Sequence, residues 1–172
     1  EPSAGSGNIW KLLPQNRLGL DIAPEHPDLV EADYLKFKWD AGLTYLVIGN
    51  PPFGTNASLA KQFFNYSAKF SEVIAFVIPR TFRKASIINR LDDRFHLVSD
   101  EDVPANSFIF NGASYDVPCA AQIWVRKDTK RPRVTTYKLD QIRHWFEIVD
   151  PAQSDFAIQR VGGRAGQIRT VD

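Results

Sequence analysis

The 172-residue sequence predicts an α/β fold with a mostly parallel sheet whose last strands turn antiparallel. Two observations carry that expectation. Continuous apolar runs at 43–50 (LTYLVIGN) and 72–79 (EVIAFVIP) have the character of strands covered on both faces. They flank a segment, 56–70, in which Leu59, Phe63, Phe64 and Phe70 recur at helical spacing. Beyond residue 95, by contrast, three apolar segments follow one another with no convincing helix between them, which requires hairpin pairing.

Taken in order, EPSAGSG (1–7) is turn-forming, and residues 8–13 are a short helical candidate that Pro14 limits. RLGLDI (17–22) reads as a short strand ending in an acid, PEHPD (24–28) as a loop, and LVEADYL (29–35) as a weak strand ending near Asp33. The strand at 43–50 leads to the helix at 56–70, which Asn56 or Ser58 is placed to cap. Pro79 halts the strand at 72–79, and TFRKASIINRLDDRF (81–95) reads as a helix with Ile87, Ile88 and Leu91 facing inward. FHLVSDEDV (95–103), SFIFNG (107–112) and CAAQIWVRK (119–127) are the antiparallel strands, with RVTTYKL (133–139) a candidate for one more. The expected domain spans 1–139, followed by a C-terminal tail at 140–172.

Composition narrows the function classes. A hydrophobic content of 44% with 24% charged residues suits one soluble domain with a sizeable core. No apolar stretch approaches the roughly 18 residues of a membrane span, so no membrane partner is expected. The single cysteine, Cys119, excludes an intrachain disulfide and fits a reducing, cytoplasmic compartment. His26, His96 and His144 are scattered, and none has metal-ligand spacing to the cysteine, so no metal is expected. Net charge is only +1, but it is unevenly spread. Residues 1–125 hold 11 Lys/Arg against 14 Asp/Glu, and residues 126–172 hold 10 against 6, a mildly basic end that reads first as a solvated surface and second as one that could meet phosphates. The chain has no methionine, even at position 1, and reads as a fragment of a longer one.

In open α/β sheets ligands bind beyond the carboxyl ends of the strands, which gives Asp21, Asp33 and Asn50 a common rim. Gly5 and Gly7 let the backbone turn tightly and approach a ligand, although most such pairs are simply turns. Asp21 closes the next strand 14 residues after Gly7, and an acid there suits the hydroxyls of a ribose. That spacing falls short of the roughly 20 residues of a dinucleotide fingerprint, whose third glycine is also missing, so NAD is not expected. Asp33 offers an acceptor for the exocyclic amine of an adenine, with Tyr34 beside it as an apolar wall; taken alone, it reads rather as a strand-end or turn residue.

Asn50-Pro51-Pro52-Phe53 is the most specific feature. Neither a helix nor a central strand passes through two prolines. Both prolines remove donors, so the corner presents acceptors, the Asn50 side-chain oxygen and the Pro51 carbonyl, beside an aromatic face. That combination suits a flat group bearing an –NH2. The plainer possibility is a rigid loop whose asparagine caps the following helix.

EPSAGSG, the acid of LDIAP, the acid of EADYL and NPPF stand in the order found in S-adenosylmethionine-dependent amino-methyltransferases, and over about residues 1–126 the chain resembles the adenine-N6 DNA methyltransferases among them. Similar tetrapeptides occur in guanine-N2 enzymes and in enzymes that methylate glutamine side chains; the form EPSAGSG tilts toward adenine-N6. The resemblance implies a Rossmann-like class I methyltransferase sheet, here lacking its first strand, and S-adenosyl-L-methionine as cofactor. It implies that Glu1, Ser3, Gly5 and Gly7 wrap the methionine moiety, that Asp21 holds the ribose, and that Ile22 packs on the cofactor's adenine. Asp33 and Tyr34 would meet that adenine's amine and ring, and Asn50, Pro51, Pro52 and Phe53 would form the catalytic corner. The implied partner is nucleic acid, DNA in the first place, with a separate target-recognition domain or subunit, of which 140–172, with Arg160, Arg164 and Arg169, is a candidate beginning. The alternatives left open are methylation of an RNA base or a protein glutamine, and a non-catalytic binding module of the same fold.

Overall fold

A computed structural model describes residues 1–110, 112–159 and 166–170. It divides into two units, Glu1–Val134 and Thr135–Asp172. The first is mixed α/β. Its short strands β1 (Leu20–Asp21) and β2 (Val30–Glu31) pair in parallel, Leu20 opposite Val30 and Asp21 opposite Glu31. The main sheet is built from β3 (Tyr45–Gly49), β4 (Ser71–Pro79), β5 (Phe95–Asp102) and, after a small hairpin of β6 (Phe108–Phe110) with β7 (Ala113–Tyr115), β8 (Cys119–Arg126).

The order across this sheet is β3-β4-β8-β5, with β3 parallel to β4 and β8 antiparallel to both of its neighbours. Three strands therefore run one way, and β8 is inserted against them. β4 sits inside the sheet, and its Ile74, Phe76 and Ile78 are buried, as two-sided cover demands of a continuous apolar strand. Helix α1 (Ser58–Ser67) turns Ala60, Phe63, Phe64 and Ser67 inward, the i, i+3, i+4, i+7 stripe of an amphipathic helix. Phe64 meets Phe95 and Trp124 edge-on, with ring centroids at 5.7 and 5.3 Å, which ties the helix to β5 and β8.

Several expectations change in detail. The capping of α1 by Asn56 or Ser58 does not occur; instead the Phe53 carbonyl accepts from the amides of Leu59 and Ala60, at 3.2 and 3.3 Å. The long helix expected at 81–95 shrinks to a 3-10 turn at Arg80–Arg83 and a single α-turn, α2 (Ala85–Ile88). Lys84 between them is extended, and the Asp92 side chain accepts the Arg94 amide at 2.9 Å, turning the chain toward β5 before a further helical turn can form. Phe108–Phe110 leaves the main sheet and, among the described residues, pairs only with β7. Residues 133–138 form no strand.

β3 pairs with β4 along one edge only. Its other edge borders a cleft of about 340 Å³ whose far wall includes Arg17 and Leu18. Glu1 and Pro2 cross one end of this cleft: Pro2 forms a parallel bridge with Leu20, and the Leu20 amide donates to the Glu1 carbonyl at 2.9 Å.

The second unit holds α3 (Leu139–Ile142), two 3-10 turns at Arg143–Trp145 and Pro151–Gln153, and an antiparallel hairpin of β9 (Phe156–Ile158) with β10 (Ile168–Thr170). Arg169 lies on β10, while Arg160 and Arg164 lie outside the described residues. Among the described residues no helix is long and apolar enough to cross a membrane.

Candidate active site

The site begins with the glycine turn. Gly5 and Gly7 have φ of +53° and +75°, the left-handed region that glycine enters without strain, and a β-carbon on Gly5 would project into open space. Ser3 shares that region at φ +55°, a conformation that costs a residue with a side chain on the order of 1 kcal/mol or more. The turn is clasped by the end of β1: the Gly5 amide donates to Asp21 Oδ2 at 2.8 Å and the Ala23 amide to Oδ1 at 2.9 Å. A carboxylate has about four lone-pair positions, so Asp21 holds the turn and retains capacity to accept further hydrogen bonds. Ile22, the next residue, is 74% exposed and offers an apolar surface beside it.

On its other side the turn meets β3. A β-carbon on Gly49 would lie 3.1 Å from the Pro2 carbonyl oxygen and 3.3 Å from Glu1 Cγ, so the end of β3 abuts the start of the turn. Asn50 follows directly. Its Oδ1 is buried with no hydrogen-bond partner, and so is Glu1 Oε2. Buried polar atoms are overwhelmingly paired in folded proteins, so two orphaned acceptors next to one loop mark a place built for donors. Burial pushes the Glu1 carboxyl up to about 7.

The proline corner is held rigidly. Pro51 is fully buried, and its carbonyl accepts no hydrogen bond among the described residues. Phe53, half-buried, has its own carbonyl fixed by the first amides of α1. Between them and the helix, Gly54, Asn56 and Ala57 all have positive φ, +67°, +52° and +57°. Sparsely populated backbone of this kind gathers at functional loops, where surrounding structure must impose it.

Asp33 and Tyr34 are placed differently. The Asp33 carboxylate caps the 3-10 turn Tyr34–Lys36 through the Leu35 amide at 3.0 Å and pairs with Lys36 at 2.9 Å, and the Lys36 contact holds its pKa below the usual carboxylate range. Tyr34 is only 2% exposed. Its ring stacks on Phe63 with centroids 5.0 Å apart, and its hydroxyl shares a hydrogen bond of 2.6 Å with Ser67 Oγ on α1. Asp33 therefore reaches the surface, and Tyr34 belongs to an aromatic cluster with Trp39, Tyr66 and Phe70.

The glycine turn, Asp21 and the Asn50 corner are thus joined by direct contacts. Gly49 is the residue that sequence reasoning passed over, since nothing in an apolar run shows that its last member must lie flat against another segment. A ring of ion pairs stands at the ends of β4 and β5. There Arg83 grips Asp100 at 2.8 Å and Asp102 at 2.7 Å, and Arg80 reaches Asp102 at 3.2 Å.

No family model matches the sequence, and no curated protein sequence matches it. Among solved structures the chain is similar to the 23S rRNA methyltransferase ErmE, with a TM-score of 0.51 and 15% identity over 83% of this chain. The match spans 66% of that chain. At this identity the likeness is one of fold alone, a mixed α/β, Rossmann-like arrangement with a mostly parallel sheet.

Proposed function

We propose that the chain is an S-adenosylmethionine-dependent amino-methyltransferase acting on the exocyclic N6 amine of adenine in DNA. The observation that carries this reading is the buried, unpartnered Asn50 Oδ1 next to the unused Pro51 carbonyl, fixed at a two-proline corner. An exocyclic aromatic amine is a poor nucleophile because its lone pair is conjugated into the ring. Two rigid acceptors would each take one N–H, draw the nitrogen toward tetrahedral geometry and free the lone pair. Phe53 would stack on the base, which is worth about 1–3 kcal/mol. Reaching a base in a duplex requires flipping it out, at a cost of a few kcal/mol.

The cofactor fits the residues present. The glycine turn offers a backbone cradle, Asp21 has acceptor capacity left for ribose hydroxyls, Ile22 an apolar face, and Glu1 an orphaned carboxyl oxygen for a cationic amine. When bound, S-adenosylmethionine supplies an electrophilic methyl group on a sulfonium. Asp33, at the surface, would accept from the cofactor's adenine amine beside its contacts to Leu35 and Lys36. No strong base is needed, because the nitrogen becomes acidic once alkylated, so the chain's contribution is positioning, which can supply roughly 7–11 kcal/mol.

The test is transfer of tritiated methyl from the cofactor to adenine-containing DNA. Asn50→Ala should lower the rate about 10²-fold or more, the scale of losing one preorganised hydrogen bond to a transition state. An Asn50→Ala chain that methylates as fast as its parent refutes the reading. RNA is the second reading, favoured by the likeness to a 23S rRNA methyltransferase. Label entering RNA and not DNA decides for it.

A further inference from the structure

A groove of about 530 Å³ follows the outer face of α1, from Ser58 at its first residue to Lys69 just beyond its end. Lys61, Lys69 and Arg90 line it, and no carboxylate does. A second hollow of about 300 Å³ shares Asn65 and Arg90 with it and extends to Arg133. The two acids of that hollow are already engaged, Asp92 with Arg94 at 3.4 Å and Asp93 with Lys130 at 3.2 Å. Lys61, Lys69, Arg90 and Arg133 form no ion pair among the described residues.

The wall is fixed. Asn65 bridges it, its Nδ2 donating to the Arg90 carbonyl and its Oδ1 accepting the Asp92 amide, both at 2.9 Å. That clamp holds the Arg90 segment against α1, so the cations keep their spacing. Lys61 and Lys69 are eight residues apart, Lys61 in the first turn of α1 and Lys69 two residues beyond its last. One strand of a duplex rises about 3.4 Å per nucleotide and winds as it rises, so the two lysines are far enough apart to meet different phosphates of one strand. The groove also starts where the candidate site ends, because the Phe53 carbonyl holds the first amides of α1. Its lining offers cations, amides and the hydroxyls of Ser58 and Tyr66 beside the half-buried Leu35, with no exposed large apolar residue to anchor a protein partner.

We propose that this groove binds the phosphate backbone of the DNA strand that carries the target base, an inference that rests on the reading of the Asn50 corner given above. The strand leaves the flipped nucleotide at Phe53 and runs along α1, with Lys61, Lys69 and Arg90 each meeting a phosphate.

The experiment measures binding of a fluorescent single-stranded DNA 20-mer between 50 and 200 mM salt. It compares the chain with Lys61→Gln/Lys69→Gln/Arg90→Gln and with Lys127→Gln, whose residue lies outside the groove. Three lost phosphate contacts should flatten the slope of log K against log salt by about 2, so affinity of the unaltered chain should fall roughly 20-fold more than that of the triple variant over this range. Lys127→Gln should leave the slope as it is. Should the triple variant fail to fold, each single variant should lower the slope by about 0.7. An unchanged slope, no binding by the unaltered chain at 50 mM salt, or groove dependence with RNA of the same sequence but not with DNA each overturns the proposal. Methyl transfer that persists beside an unchanged slope overturns the groove alone. Groove-dependent binding without methyl transfer upholds the groove and overturns the reading of the Asn50 corner.

Discussion

Gly49 lies flat against Pro2: a β-carbon there would stand 3.1 Å from the Pro2 carbonyl oxygen and 3.3 Å from Pro2 Cδ. Real β-carbons rarely approach that closely, so the last residue of β3 and the start of the glycine turn are each shaped to the other. The contact is the physical link between the Asn50 corner and the segment proposed to hold the cofactor. Its tightness separates two effects that usually travel together. Gly49→Ala pushes the turn away by a few tenths of an ångström, which costs about 1 kcal/mol of stability. Under the proposed function it misplaces the turn itself and should weaken S-adenosylmethionine binding at least tenfold. Calorimetric titration beside a thermal melt checks this; equal affinity in parent and variant would show that the two segments move independently.

Stability should depend on the junction of α1 with β5 and β8 far more than on the ion pairs at the rim. Phe64 is fully buried and meets Phe82, Phe95 and Trp124. Phe64→Ala removes the ring from a packed interior and should cost about 3–5 kcal/mol. Arg83→Ala breaks a bidentate contact to Asp100 and a contact to Asp102, but the arginine side chain is 37% exposed. Screened pairs of this kind contribute about 0–1 kcal/mol. Urea unfolding of the two variants should rank them in that order, and comparable losses would move the centre of the fold to the rim.

The parts of the fold that the sequence shows are those where one segment carries its own instruction. The apolar run at 72–79 became β4 almost residue for residue, because a strand covered on both faces has no polar alternation to confuse its limits. The stripe of Phe63 and Phe64 likewise located α1. What stayed hidden depends on partners distant in the chain. Nothing local says that β8 slips between β4 and β5, since that order is fixed by which edges remain open once the sheet assembles. Tyr34 is a similar case. Beside Asp33 it reads as the wall of a ligand site, but Phe63 and Ser67 on α1 draw its ring and hydroxyl into the interior. The NPPF corner was legible for the opposite reason: two prolines set the backbone whatever surrounds it. The orphaned state of Asn50 Oδ1, which turns a rigid loop into a candidate site, was not, because the lack of a partner is a property of the folded neighbourhood.

Glu1 gives the site a pH dependence whose sign is fixed by its burial. Its carboxyl is raised to about 7 from an ordinary value of 4.5, and its Oε2 has no partner. A raised carboxyl favours the neutral form in the folded chain, so its stabilising contribution is complete below the unfolded value and is lost as pH climbs through 7. Binding runs the other way. A cationic amine, such as the one at the methionine end of the proposed cofactor, prefers the ionised carboxylate and must displace its proton wherever the free carboxyl still carries one. Affinity for S-adenosylmethionine should therefore fall as pH drops below 7, approaching tenfold per unit, and level off above it. Titration calorimetry at pH 6 and pH 8, in two buffers of different ionisation heat, should show proton release on binding at pH 6 and little at pH 8. In Glu1→Gln the affinity should be weaker and flat across the range. If the unaltered chain binds equally well at both values with no proton released, the cationic group does not sit on Glu1.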